Sequence, residues 1–285
     1  MKYLLLLLGV IGGSTSAIFV RFSTAPSMVL VIYRMVITVL LLAPVAWRSR
    51  KEFWQLPLKS LLLCAASGVA LGLHFATYFE AVKSTSIAAS SVLVNIEVLF
   101  VALATVLLFR RKLSGRAWLA ILLAFCGAVV IALGDVGNGV STLRGNVISL
   151  ISAMLIATYT MIGSVCRRTV STTVYTYLVY CMSLVTVLVL TLVSGTPVLG
   201  YGAVNFGAAL GMALFCTLMG HSIFSWALKY LPPSLVSTVR LLDCVASTVW
   251  GCLFFHEIPG LLTVLGGITV IAAVILYSRI TANET

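Results

Sequence analysis

Residues 84–109 read STSIAASSVLVNIEVLFVALATVLLF, an apolar run whose one charge, Glu97, stands at its centre. An α-helix rises about 1.5 Å per residue and needs about 20 apolar residues to cross the hydrocarbon of a bilayer, so this run is long enough. A helix satisfies its backbone groups internally, as hydrocarbon demands, and the strict alternation of a membrane-barrel strand is missing. The run reads as a transmembrane helix carrying an acid near the membrane midplane.

Moving outward, the same reading applies to 4–22, 27–47, 59–80, 117–134, 145–165, 173–194, 204–230, 234–255 and 260–278. The links between them hold mostly a few residues and leave no room for a water-soluble domain. Of the 285 residues, 61% are hydrophobic and 9% charged, with a mean hydropathy of +1.16. A soluble fold carries roughly a quarter of its residues as charges. The expected fold is an all-α integral membrane protein of ten transmembrane helices. Lys2, Leu4 to Ile11 and Ser14-Thr-Ser-Ala imitate a cleavable leader. Removing it would take away a helix that the repeat described below requires.

The net charge of +11 is spread in short clusters between apolar runs rather than along one basic face, so no nucleic-acid partner is implied. With the amino end in the cytoplasm, Lys2, Arg48, Arg50, Lys51, Lys59, Arg110, Arg111, Lys112, Arg116, Arg167, Arg168, Lys229 and Arg279 fall inside. Arg21, Lys83 and Arg144 fall outside, and Arg34 and Arg240 lie within spans. This is a positive-inside bias, and it puts both termini in the cytoplasm. The seven cysteines lie singly in apolar stretches without metal-ligand spacing and read as small buried residues.

Shifted by 146 residues, the chain aligns with itself: Lys83-Ser-Thr-Ser falls on Lys229-Tyr-Leu-Pro, Leu107-Leu-Phe on Leu253-Phe-Phe, and Glu97 on Asp243. Two five-helix repeats, 1–142 and 143–285, follow from that register. An odd number of helices per repeat makes the second insert from the opposite face. Inverted repeats of this kind suit alternating access around a central site.

The pieces that align carry a resemblance. Ala81-Val-Lys-Ser-Thr-Ser, Trp226-Ala-Leu-Lys-Tyr-Leu-Pro-Pro-Ser, Phe254-Phe-His-Glu-Ile and Gly145-Asn-Val-Ile-Ser-Leu-Ile-Ser-Ala occur in the order of the ten-helix EamA-type members of the drug/metabolite transporter superfamily. The chain resembles that family over nearly its whole length. The resemblance implies a gradient-linked or facilitative carrier of small metabolites, often an exporter, and points to a bacterial plasma membrane. Two features depart from the family pattern. Val98 and Cys244 stand where prolines are common in helices four and nine, and the turn glutamate Glu257 has Arg111 as its counterpart.

Ionisable side chains inside a bilayer are costly, about 2.5–3.5 kcal/mol each on insertion scales, and therefore mark candidate sites. Glu97, Asp243, Arg240 and Arg34 are the four, and their charges cancel. They form either a neutral structural network or a cavity that holds substrate or a proton. A carboxyl group without a partner can exchange a proton near neutral pH, whereas one paired with arginine stays ionised. His74 and His221 fall one residue apart in the repeat register and read as hydrogen-bonded packing groups or proton relays. Phe75, Tyr78, Phe79, Phe224 and Trp226 surround them in sequence, with Tyr159 a further candidate for lining a pocket. Glu80 and Lys83 read as a surface ion pair, and Gly12-Gly13, Gly68/Gly72 and Gly207/Gly211 as close helix contacts.

The sequence offers no enzyme signature: His256-Glu257 continues as Ile-Pro-Gly rather than a zinc-protease motif, and no phosphate loop or nucleophile elbow is present. The expected function is a carrier for a small organic metabolite such as an amino acid, nucleobase or drug-like compound, with protons as a candidate coupling ion and no cofactor. An organic-anion exchanger using Arg34 and Arg240 is the second reading, and a non-transporting subunit of a membrane complex the third.

Overall fold

The computed structural model describes residues 2–109, 114–134, 142–231 and 233–283. Arg110, Arg111 and Lys112 of the charge count lie outside them, as does the stretch 135–141 next to the repeat junction.

Among the described residues ten helical spans follow in chain order. They are α1 (Lys2–Ser14 continued by Ser16–Phe22), α2 (Ser27–Arg48), α3 (Leu58–Ser84), α4 (Ile87–Asn95 and Glu97–Phe109) and α5 (Gly115–Gly134). Then come α6 (Leu143–Cys166), α7 (Thr172–Val193), α8 (Ala203–Gly211, Met212–His221 and Ser222–Ala227), α9 (Pro233–Phe255) and α10 (Leu261–Asn283). Eight of these are long and apolar enough to cross a bilayer, and Gly115–Ile131 and Leu261–Tyr277 add two shorter apolar stretches. The short helix Arg50–Gln55 in the second link was not expected.

Because the links are short, successive spans run antiparallel and the links alternate between the two ends of the bundle. The main packing partners are α5 with α10, α4 with α6 and α9, α2 with α7, α3 with α6 and α7, α8 with α1 and α2, and α1 with α9. Exchanging every helix for the one five places along maps this set of pairs onto itself. Large apolar side chains such as Leu40, Leu107, Leu192, Val193 and Leu261 face outward, while Ser67, Ser90, Ser149, Ser152, Ser183, Thr217 and Ser225 are buried. Apolar outside and hydroxylated inside is the arrangement lipid favours: the tails compete for leucine but offer hydroxyls no partner.

Two irregular spans shape the interior. α4 breaks at Ile96 without any proline, because Asn95 Nδ2 donates to the Ser91 carbonyl at 2.8 Å and Ile96 N turns back to the Leu93 carbonyl at 3.3 Å. Side-chain competition for backbone groups thus supplies the kink here. α9 runs unbroken through Cys244. In α8 the stretch Met212–His221 is π-wound, so residues five apart such as Cys216 and His221 come to share a face.

Small residues let helices touch. A Cβ on Gly68 would stand 2.5 Å from Met182 Cβ and 2.7 Å from the Val179 carbonyl, and one on Gly72 2.9 Å from the Ser183 carbonyl. A Cβ on Gly211 would press on the Phe19 ring, but Gly207 faces open space and is not a contact glycine. Gly68→Ala is therefore expected to destabilise the protein by about 1–3 kcal/mol through overpacking, and Gly207→Ala to leave the detergent melting temperature unchanged. Thermal unfolding of the two variants checks this. Of the cysteines, Cys64, Cys166, Cys216 and Cys244 are buried as expected, but Cys126 is exposed and Cys181 and Cys252 are half-buried.

Candidate functional site

At the middle of the bundle a small cavity of about 50 Å³ is lined by residues of α1, α2, α3, α4, α8 and α9. Its charged walls are Arg34, Arg240 and Asp243; its aromatic walls are His74, Phe75, Tyr78, His221 and Phe224.

Arg34 on α2 is 1% exposed, with its Nε donating to Thr217 Oγ1 at 2.7 Å and its guanidinium 4.1 Å above the Phe75 ring centre. Its Nη2 has no hydrogen-bond partner. The π-wound part of α8 supplies Thr217, so the winding and the arginine's posture are linked.

Arg240 and Asp243 share the cavity face of α9 but do not pair with each other. Arg240 reaches to α4 instead, where its Nη1 bonds both oxygens of Glu97, at 3.0 and 3.1 Å. Glu97 is 1% exposed and sits behind the cavity wall as the partner of Arg240. Asp243 has no such partner: its Oδ1 is buried and unsatisfied. Its carboxyl lies against Gly13, where a Cβ would stand 3.0 Å from Oδ2. Of the four intramembrane charges, one pair is neutralised and the other two, Arg34 and Asp243, face the cavity without an ionic partner.

The aromatic residues also separate. His74 bonds Ser152 Oγ at 2.8 Å through Nδ1 and stacks on Tyr78 at 5.8 Å, which fits a hydrogen-bonded packing group. The His221 ring is 5.0 Å from Phe75, 6.4 Å from His74 and 6.2 Å from Tyr159. Tyr159 stands behind His221, with its hydroxyl bonded to Ser225 Oγ at 2.6 Å. Phe224 lies under the Arg240 guanidinium at 5.3 Å. Trp226 is a correction: its ring lies tilted against Tyr230 with centres 5.0 Å apart, it packs beside the cluster around Leu6 and Phe224, and it does not line the cavity. Two residues along a helix turn a side chain through roughly 200°, so Phe224 and Trp226 cannot share a face.

The two ends of the bundle are tied by arginines. At one end Arg21, at the close of α1, pairs with Glu257 at 3.0 Å and donates to the Thr85 carbonyl at 2.8 Å, while Glu257 Oε2 accepts from Ile87 N at 3.0 Å. At the opposite end Arg167, at the close of α6, donates to the carbonyl of Ser225 at 3.0 Å and also to the Val170 carbonyl and Thr172 Oγ1. Arg167 stands one repeat-length after Arg21 in the sequence. Read from sequence as a loop charge, Arg167 is in fact 1% exposed. Glu80 and Lys83 are another correction: they do not pair, since Glu80 accepts from Ser27 Oγ at 3.1 Å and Lys83 donates to the Ala25 carbonyl.

Sequence reasoning missed Ser91, Asn95, Cys216, Thr217 and Ser247. Ser91 and Asn95 carried a signal, being polar and four apart on the helix that holds Glu97. Thr217 carried none, because its role depends on π winding. No group of three or more metal-binding side chains occurs among the described residues.

A membrane bundle with an enclosed, charged centre narrows the class of protein, and comparison with known proteins settles the family. The family model described as the EamA-like transporter family matches residues 1–133 and 143–279. The chain belongs to the EamA-like transporter family. Curated relatives include the pseudopaline exporter CntI of Pseudomonas aeruginosa, 25% identical over 90% of this chain and 88% of its own. An uncharacterized transporter of Archaeoglobus fulgidus is 26% identical over 76% of this chain and 74% of its own. A crystal structure of a protein 16% identical in sequence superposes with a TM-score of 0.68 over 97% of this chain and 96% of that one, a likeness of fold alone. As an EamA-family member the protein is a multi-pass membrane transporter.

Proposed function

We propose that this EamA-family protein is a secondary or facilitative carrier, with no enzymatic activity, that moves a small organic metabolite by alternating access. Amino acids, nucleobases and drug-like compounds are within its range. The observation that carries the reading is the central cavity lined by an unpaired arginine on α2 and an unpaired carboxyl on α9. A cavity of this size holds a few waters, so a solute is admitted only when helices move apart. The symmetric set of helix pairs supports two repeats, 1–142 and 143–285, as the moving halves. Arg21 and Arg167 stand at opposite ends as the closures that open in turn.

Asp243 is the group placed to exchange a proton for solute, since its carboxyl is free of any ionic partner. The basic-residue bias supports cytoplasmic termini, and the compact loops and family membership support a bacterial inner membrane. The name of the Pseudomonas relative supports export. In proteoliposomes, a pH gradient is expected to drive saturable movement of a solute found by thermal-shift screening, faster than in protein-free vesicles. Movement that is no faster would defeat the carrier reading and favour the complex-subunit alternative.

A second reading, organic-anion exchange, is favoured by the unpartnered Arg34 Nη2 and Arg240 Nε. Asp243 on the same cavity weighs against it, because an anion beside that carboxylate is repelled. Flux confined to anions would select it.

A further inference from the structure

We infer that the link between α2 and α3 is a docking surface for an anionic phospholipid, held by Arg48, Arg50, Lys51 and Lys59 and flanked by Trp47 and Trp54. On the orientation proposed above, that lipid belongs to the cytoplasmic leaflet.

The short helix Arg50–Gln55 has two unlike faces. Glu52, Phe53 and the following Leu56 turn inward. The Ser171 amide donates to Glu52 Oε1 at 2.7 Å, the Phe53 ring meets Tyr177 edge-on with centres 5.9 Å apart, and Phe53 and Leu56 pack on the main core. Arg50, Lys51 and Trp54 fall on the opposite face of the helical turn and are exposed. Arg48 and Lys59, on the adjoining ends of α2 and α3, are exposed as well. The stretch 48–59 thus presents four cations outward, and its one acid is committed to Ser171.

Charge alone fits any anion, and two further features select a lipid. Trp47 and Trp54 are 71% and 88% exposed, and indoles beside basic residues at the end of an apolar span suit the headgroup region of a bilayer. Arg50 holds its guanidinium 5.7 Å from the Trp47 ring centre, so cation and indole meet a ligand together. Leu58 and Leu62, four apart on the first turns of α3, are largely exposed and give acyl chains an apolar strip next to the charged rim. A free phosphate uses neither the indoles nor the leucines. A phospholipid of net negative charge uses all three, with its phosphate on the cations and its chains on the leucines. Through Glu52 the docked helix also steadies the link that holds Arg167, since Val170 and Thr172 flank Ser171 and accept from that arginine.

The test uses the full chain in phosphatidylcholine vesicles that contain, at one mole fraction, either phosphatidylglycerol or phosphatidylcholine brominated on its acyl chains. Bromine quenches indole fluorescence on contact. Brominated phosphatidylglycerol is expected to quench more strongly, with a preference of about threefold or more at this site. Trp54→Phe should remove much of the excess, and raised salt should shrink it. The triple variant Arg48→Gln, Arg50→Gln, Lys51→Gln should bring the two lipids level. An equal loss of charge at the same end, by Arg116→Gln, Lys229→Gln and Arg279→Gln, should leave the preference in place. Equal quenching by the two lipids in the unaltered protein overturns the inference. So does a loss that is the same in both triple variants, which assigns the preference to the general basic field of that end. Removal of the excess by millimolar glycerol 3-phosphate marks a soluble-phosphate site and overturns the lipid assignment too. The comparison on unaltered protein stands even where a variant does not fold.

Discussion

Asp243→Asn is expected to reduce solute flux driven by a pH gradient at least tenfold in proteoliposomes, with the protein still folded and inserted. Asparagine matches aspartate in shape, so the close contact with Gly13 survives and the change removes only the charge and the exchangeable proton. Among the described residues no other carboxyl group lines the cavity to replace it. Glu97 is already committed to Arg240, and His74 to Ser152. Downhill exchange of unlabelled for labelled solute, measured without a pH gradient, separates loss of coupling from loss of the site. Unchanged pH-driven flux in this variant would remove Asp243 from the mechanism and leave facilitated diffusion as the better description.

Glu97→Gln is expected to act on stability instead, lowering it by about 3 kcal/mol or more, as removal of one partner from a buried ion pair usually does. The variant strands Arg240, whose side chain is 10% exposed, without a counter-charge between α4 and α9. Adding Arg240→Met should restore much of the loss, because the pair as a whole contributes far less than either half left alone. Thermal unfolding of the two single variants and the double variant in one detergent reads the coupling directly. If Glu97→Gln melts like the unaltered protein yet loses flux, then Glu97 works on the solute and its static partnership with Arg240 has been misjudged.

These two expectations differ although the sequence presents the two acids as equivalents. Self-alignment places Glu97 on Asp243, and both are indeed turned to the interior, on the facing helices α4 and α9. What the alignment does not hold is the arginine. Arg240 has no basic counterpart in the first repeat, so it must choose one carboxyl, and spacing along α9 suggests Asp243 as readily as Glu97. That choice is made by distance across the bundle, which a single sequence does not contain.

The ten spans were legible because a bilayer tolerates so few alternatives to an apolar helix of sufficient length. Local winding was not. The kink at Ile96 arises from an asparagine rather than a proline, and the π stretch in α8 has no compositional mark. Trp226 shows the same limit from the other side: near Phe224 in sequence, it faces a different neighbourhood once the helix turns.

The unequal fastenings at the two ends have a consequence for how dissolved electrolyte acts on the protein. One end is held through Arg21 and a carboxylate, both partly reached by water, while the other is held through Arg167 and main-chain oxygens in a drier setting. Mobile ions weaken attraction between accessible full charges far more than they weaken a shielded guanidinium on neutral oxygens. On the alternating-access proposal, raising ionic strength is therefore expected to loosen the Glu257 end selectively and to tilt the resting population toward the face on which that end opens.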